Sequence, residues 1–375
     1  RAGRTCATTE GPIAGGAPLP PLTVKTSSIL RALASLLVAA GLLWALVTWG
    51  GVEVADIKDT LEGLSLGQWL TALSVHAGIY LLRAWRFSTL TPAESRPSFG
   101  RVLAVSSAHN LAAYVLPMKS GEATFILYSS GVGGVPARAS AASLLVSRLL
   151  DLVVLCGFMV LVLWAAPLLV SAEMPNGLMQ ESPSHLSGMS STMFGAGVVF
   201  FVVALFAGLA CVYRSGFVSM TASALRLVRI ERTPLGSKLI LLIGRFAEAL
   251  EEAGARGGVL RATALSVALW VGVIAFYSVL LTAFGWPEEQ EVFVPAVLAS
   301  GFASLANTLP VNGFAGFGTQ EGGWVLGMSL WGVDPELALA VGVSAHLVQL
   351  GNLVLFGLLG HLGMAVLPKS EAQGA

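Results

Sequence analysis

Arg148 and Asp151 stand inside one apolar run, "SRLLDLVVL", within segment 140–166. Three residues apart, they share one face of a helix. About ten residues from the start of the run puts Arg148 roughly 15 Å along the helix axis. That is near the middle of a hydrocarbon core about 30 Å thick. A charge at that depth costs about 2.5–3.5 kcal/mol on insertion scales, so such residues face a bundle interior or a cavity. Two readings follow. Arg148 receives an anionic group and Asp151 holds it when the site is empty, or the two form a structural ion pair between helices.

Charges also mark two breaks in apolar segments. The first is "LPMKSGEA", residues 116–123, with Pro117, Lys119, Gly121 and Glu122. Pro117 lacks a donor and ends the arm before it. Gly121 is expected to permit a tight turn. The N–H groups that open the second arm suit an anion. The bland alternative is a short polar loop that stays out of the membrane. The second break is "LPVNGFAGFGTQEGG", residues 309–323, with Pro310, Asn312, Gly316, Gly318, Gln320 and Glu321. Its Gly-x-Gly is no dinucleotide fingerprint, because no βαβ pattern surrounds it. Its weight comes from position.

His346, Gln349 and Asn352 recur every three residues on the last apolar run. They read as interhelical hydrogen bonds or as cavity lining. Arg83 and Arg86 flank Trp85 in "YLLRAWRF". They read as snorkelling anchors beside an aromatic belt residue, or as headgroup contacts. His76 and His109 are isolated, and no His, Cys and carboxylate cluster has metal spacing. Cys6, Cys156 and Cys211 show no paired spacing, and no nucleophile–base set is readable. No metal, cofactor or catalytic residue is expected.

The elements that must position these residues follow from composition. The 375 residues are 55% hydrophobic and 11% charged with zero net charge, and the mean hydropathy is +0.78. Soluble domains carry about 25% charged residues. The chain reads as an all-α polytopic membrane protein, without a basic footprint for nucleic acid. Runs of about 20 apolar residues give about six full spans: 29–49, 66–82, 140–166, 193–213, 262–284 and 336–363. Regions 102–130 and 292–330 hold the two breaks. Residues 1–27 read as a polar, disordered tail and 367–375 as a short C-terminal one.

Lys and Arg in short loops set orientation. Lys25 and Arg31 precede the first run; Arg83, Arg86, Arg96 and Arg101 follow the second; eight basic residues occupy 214–261. Both termini are thus expected in the cytoplasm. Region 102–130 then enters and leaves on the cytoplasmic side, as a re-entrant hairpin. Region 292–330 either dips from the outside or crosses twice. The pattern is span, hairpin, span, written twice within 28–366, over 66–166 and 262–363, with opposite orientation. Broken segments in matching places of an inverted repeat point to a substrate site, because irregular backbone at that depth must be buried or line a cavity. Within 214–261, Leu239, Ile243, Phe246 and Leu250 mark one face of an amphipathic helix at the inner membrane surface.

The joint pattern "LPMKSGEA", "ARASAASLLVSRLLDLVVL" and "LPVNGFAGFGTQEGG" resembles the lysylphosphatidylglycerol synthase transmembrane-region family, also called flippase-like, over roughly 30–365. In that family the first tip is usually Pro-x-Arg-x-Gly-Glu; Lys119 replaces the Arg, keeping the charge but not the bidentate fork. The resemblance implies a stand-alone member without the aminoacyltransferase domain, in a bacterial inner membrane. It implies a flippase moving an anionic lipid (phospholipid, hopanoid-type or polyprenyl-phosphate-linked) between leaflets through a midplane polar cavity, with Arg148, Lys119 and the tip residues at the headgroup. The alternative is a non-catalytic membrane partner or scaffold of a lipid-modifying glycosyltransferase or other lipid-synthesis protein. Homo-oligomers are compatible with either.

Overall fold

The computed structural model describes residues 54–116, 120–173, 195, 197–202, 223, 258–286, 292–308 and 314–367, with backbone alone for 165–173. The expected first span 29–49, most of 193–213, the amphipathic segment and both tails lie outside the described residues. So do Pro117, Lys119, Pro310 and Asn312.

Among the described residues the order is α1 (Val54–Glu62), α2 (Leu66–Leu90), α3 (Phe99–Val115), α4 (Glu122–Gly131), α5 (Ala137–Glu173), α6 (Gly258–Ala283), α7 (Phe293–Thr308), α8 (Thr319–Leu330) and α9 (Pro335–Val366). The starts have local causes. Ser65 and Gln68 form a reciprocal capping box on α2, which satisfies two otherwise orphan donors. Asp334 Oδ1 accepts from the N–H groups of Glu336 and Leu337 at the head of α9, with Pro335 just inside the start, where it lacks nothing the helix needs. Thr91, extended before Pro92, ends α2.

Three of these helices are long and apolar enough to cross a membrane: Ala137–Trp164, Gly258–Ala283 and Pro335–Val366. The α2 helix has the length, but its last two turns carry Arg83 and Arg86, and it is not among the three. Outward faces are apolar too, as with Val267 and Val271 on α6 and Leu355, Leu358, Leu359 and Leu362 on α9.

The element order repeats. A long helix, a hairpin of two shorter ones and a second long helix make α2 to α5, and the same order makes α6 to α9. Each hairpin is antiparallel. In the first, His109 meets Thr124 and Gly121 lies against Ala112 and Ala113. In the second, Gly323 lies against Phe302 and Ala303, and Gly327 against Leu298. The first helices of the two halves, α2 and α6, run antiparallel: His76 stacks near Phe276, and Arg86 reaches Ser266.

Each hairpin's first arm packs on the closing helix of the other half, α3 on α9 and α7 on α5. The α3–α9 contact is made by Gly357, Gly360 and Gly363 on α9 against Leu111, Ala108 and Ala104 on α3. Small residues allow this close backbone approach where lipid offers no hydrophobic drive between helices. The main core lies between α2, α5, α6, α7, α8 and α9, around Met159, Leu280, Leu298 and Trp324.

Candidate functional site

The Arg148–Asp151 pair expected from the sequence is rearranged. Arg148 donates through Nη2 to Glu122 Oε1 at 2.6 Å and through Nε to Glu122 Oε2 at 3.3 Å. Its Nη1 lies 3.9 Å from Asp151 Oδ2. Asp151 is instead gripped by Arg86, through Nη1 to Oδ1 and through Nη2 to Oδ2 at 3.0 Å. The i,i+3 relation shares a face but gives no fork geometry, whereas α2 and the first break each present a partner head-on. Glu122 holds Arg148 by hydrogen bonds, and Asp151 holds it by the longer ion pair.

Arg86 is not a snorkelling anchor. Its side chain is 1% exposed, and Nη1 also donates to Ser266 on α6 at 2.9 Å. Residue 85 faces out and residue 86 faces in. The Arg83 guanidinium is half-buried, donates to Asn110 Oδ1 and lies over the Tyr80 ring; Asn110 in turn donates to the Tyr80 hydroxyl at 2.8 Å.

Arg148 differs from Arg86 in access. Its side chain is 45% exposed, against 31% for Glu122 and 18% for Asp151. A guanidinium held by one half-exposed carboxylate can exchange that partner for a ligand. Around it, among the described residues, Arg83, Arg86 and Arg148 stand with Asp151 and Glu122, three cations to two anions. The buried His109 contributes Nδ1 to Thr124 Oγ1 at 3.1 Å, and its Nε2 lies 3.9 Å from Glu122.

Gly121 lies in a turn, but contact rather than φ is what calls for glycine there. Its φ is −63°, which any residue adopts. A Cβ there would lie 2.3 Å from the Ala112 carbonyl oxygen, so glycine lets α4 seat on α3. The N–H groups of Ala123 and Thr124 bond back to Ser120 and Gly121. They are therefore not open to an anion as expected.

The described residues of the second break are mostly buried. A short 3₁₀ turn, Phe314–Gly316, carries Ala315 at φ 54°, and Gly316 and Gly318 have φ of 83° and 85°, where glycine has no steric cost. Glu321 is fully buried; Oε2 accepts from the Gly318 N–H at 2.6 Å, and Oε1 faces His346 Nδ1. His346 Nε2 faces the Ala315 carbonyl at 3.1 Å. Gln320 donates to Gln349 at 2.8 Å and accepts from Asn307 at 3.2 Å.

The two breaks meet through Tyr114, at the end of α3. Its hydroxyl accepts from Gln349 at 2.9 Å and from Asn307 at 3.5 Å; Tyr277 donates to Gln349 from α6 at 2.8 Å. For His346 and Gln349, interhelical hydrogen bonding is the realised role. Asn352 is buried on the same face without a partner for Nδ2 among the described residues.

Sequence reasoning missed Tyr80, Asn110, Tyr114, Tyr277 and Asn307. Asn110 and Asn307 had a signal, an amide inside an apolar helix. The tyrosines had none, because a phenol at a helix end reads equally well as a belt residue.

A separate cavity of about 380 Å³ opens between the end of α2 and the starts of α5 and α6, lined by Trp85, Thr89, Thr91, Arg96 and Arg261 among others. It lies beside the arginine cluster rather than on it. Among the described residues no group of three or more His, Cys, Asp or Glu could hold a metal ion. His76 sits instead among the rings of Tyr80, Phe276 and Phe356.

Comparison with curated proteins returned no match, and comparison with solved structures returned none. The family comparison does match, over residues 32–357, a span that includes both hairpins, the arginine cluster and the polar network of the second break. A multi-pass membrane protein with this arrangement belongs to the family described as the lysylphosphatidylglycerol synthase TM region.

Proposed function

We propose that the chain is a lipid transporter that passes an anionic headgroup between leaflets at the first helix break, rather than an enzyme. Family membership gives a membrane lipid-related role. The observation that carries the finer reading is Arg148. It is charged, 45% exposed, and tied to a break residue, Glu122, that a phosphate could replace. Among the described residues the three-to-two excess of cations would become balanced when one negative charge enters. Charge-assisted bonds from a guanidinium fork to phosphate are among the stronger polar contacts.

An inverted-repeat architecture in a bacterial inner membrane goes with this reading. Its support is the repeated element order and the antiparallel α2–α6 pair. The hairpin arms α3, α4, α7 and α8 have 17, 10, 16 and 12 residues. At about 1.5 Å per residue each is shorter than a core of about 30 Å, which favours re-entrant hairpins over two crossings in the second region. The cavity bearing Arg96 and Arg261 is suited to be the vestibule through which a headgroup approaches.

The test is lipid translocation in liposomes holding the purified protein, with a headgroup-labelled anionic lipid and, separately, a zwitterionic one. The expected result is movement of the anionic lipid by wild type and its loss in Arg148→Gln. Undiminished movement in that variant would overturn the assignment.

A further inference from the structure

The Glu321–His346 pair has hydrogen-bond partners that fix a proton count. The Ala315 carbonyl can only accept, so His346 Nε2 carries a hydrogen. Glu321 Oε2 already accepts from the Gly318 N–H. The contact between Glu321 Oε1 and His346 Nδ1 then needs one more hydrogen. It resides on Nδ1, giving imidazolium and carboxylate, or on Oε1, giving neutral imidazole and carboxylic acid. The two arrangements have the same composition and no net charge. Without that proton, a carboxylate oxygen would face the Nδ1 lone pair, in a place where Glu321 is 0% and His346 1% exposed. An uncompensated buried charge costs several kcal/mol.

We propose that Glu321 and His346 form a binding site for one exchangeable proton, and that this proton is the coupling ion of the lipid movement inferred above; the second clause rests on that reading, the first does not. Loading keeps the second break folded. Loss of the proton from Nδ1 or Oε1 to water sets lone pair against lone pair, so the 314–321 backbone moves away from α9. That backbone is wound through Ala315, Gly316 and Gly318 at positive φ. The movement reaches the first break by a short path. Gln320, next to Glu321, is bonded to Gln349, and Gln349 to Tyr114 at the end of α3.

The described residues around the pair are mainly aromatic and uncharged. Phe317 covers the imidazole at 4.5 Å. From α6 and α3 the titratable groups turned this way are Tyr277 and Tyr114, both bonded to Gln349. From α1 comes the Ile57 carbonyl, at Ser344. From α2, His76 faces Phe356, about 15 Å along α9 from His346. From α8 comes Glu321 itself. Among the described residues neither Glu321 nor His346 has an ion pair with Lys or Arg.

Glu321→Gln separates the alternatives. The Gln amide can donate to Nδ1 and its oxygen accept from Gly318, which copies the loaded pair without a removable proton. Wild type and this variant, labelled with ¹⁵N-histidine and reconstituted in lipid nanodiscs, are titrated by NMR for His346 and by infrared for a protonated carboxyl; His346→Gln assigns the signals. Wild type should show either imidazolium or carboxylic acid at neutral pH. Raising the pH should release one proton and remove hydrogen-exchange protection from 314–322; Glu321→Gln should keep that protection. Neutral imidazole beside a carboxylate at neutral pH overturns the site.

The same proteins in liposomes then meet an imposed pH gradient at zero potential. One pH unit shifts proton occupancy by up to about tenfold. Wild-type translocation of the labelled anionic lipid should follow the gradient, and that of Glu321→Gln should not. Movement indifferent to the gradient overturns the coupling alone. Movement of no lipid overturns the transport reading and the coupling with it, while the spectroscopy decides the proton site separately.

Discussion

The two helix breaks are built to one plan and filled differently. The first gathers three guanidinium groups and two carboxylates, with Arg148 and Glu122 partly open. The second gathers amides, phenols and the Glu321–His346 pair, all buried or half-buried. The packing differs accordingly. One glycine, Gly121, seats α4 on α3, whereas Gly323 and Gly327 press α8 against the α7 backbone. Similar architecture is therefore filled unequally: the first break leaves charged groups partly open, and the second buries its polar groups.

Breaking that contrast should have the largest effect at its deepest charge. Arg86→Leu leaves Asp151 without its fork, and removing one partner of a buried ion pair costs about 3–5 kcal/mol. Thermal unfolding in detergent should show a large loss. Arg148→Gln should leave the melting temperature nearly unchanged yet lower translocation about 10- to 100-fold, the equivalent of the ~1.5–3 kcal/mol a hydrogen bond to a charged group contributes. Arg148→Lys should recover part of this, keeping charge without the fork.

The second break is sharpened by packing changes. In Gly327→Ala the new Cβ would lie 2.3 Å from the Leu298 carbonyl; overpacking of this kind costs about 1–3 kcal/mol and should appear as a lower melting temperature. Tyr114→Phe removes the acceptor that joins the breaks. It should cost about 0.5–1.5 kcal/mol and, in a double-mutant cycle with Gln349→Leu, prove non-additive. Gly322→Ala meets nothing within 4 Å and should stabilise α8 by up to about 1 kcal/mol. These last three variants test whether the second break is rigid throughout or only where backbones touch.

Much of this was legible in the chain. Apolar run lengths located the starts of the described long helices to within about four residues, but 66–82 and 140–166 stopped short of the ends of α2 and α5. The two Leu-Pro-to-Glu phrases marked both breaks, and Arg148, Glu122, Glu321 and His346 were legible as charges or polar groups in apolar surroundings. Partner choice was not. Asp151 is three residues from Arg148, and sequence spacing favours that pair. Arg86 is 65 residues away and wins because α2 delivers it end-on. Gly121 lies in the turn expected of it, but spacing could not show that a close approach, not φ, is what requires glycine.

The sequence by itself determined a multi-pass helical membrane chain, its broken segments and its family, because hydropathy, prolines and buried charges act locally and within a few residues. Only the tertiary structure decided which charge meets which, that Tyr114 joins the breaks, and that Glu321 and His346 face each other in a buried site. Those outcomes depend on antiparallel packing of distant helices, and hydrogen-bond geometry at a few ångströms is set by that packing rather than by position along the chain.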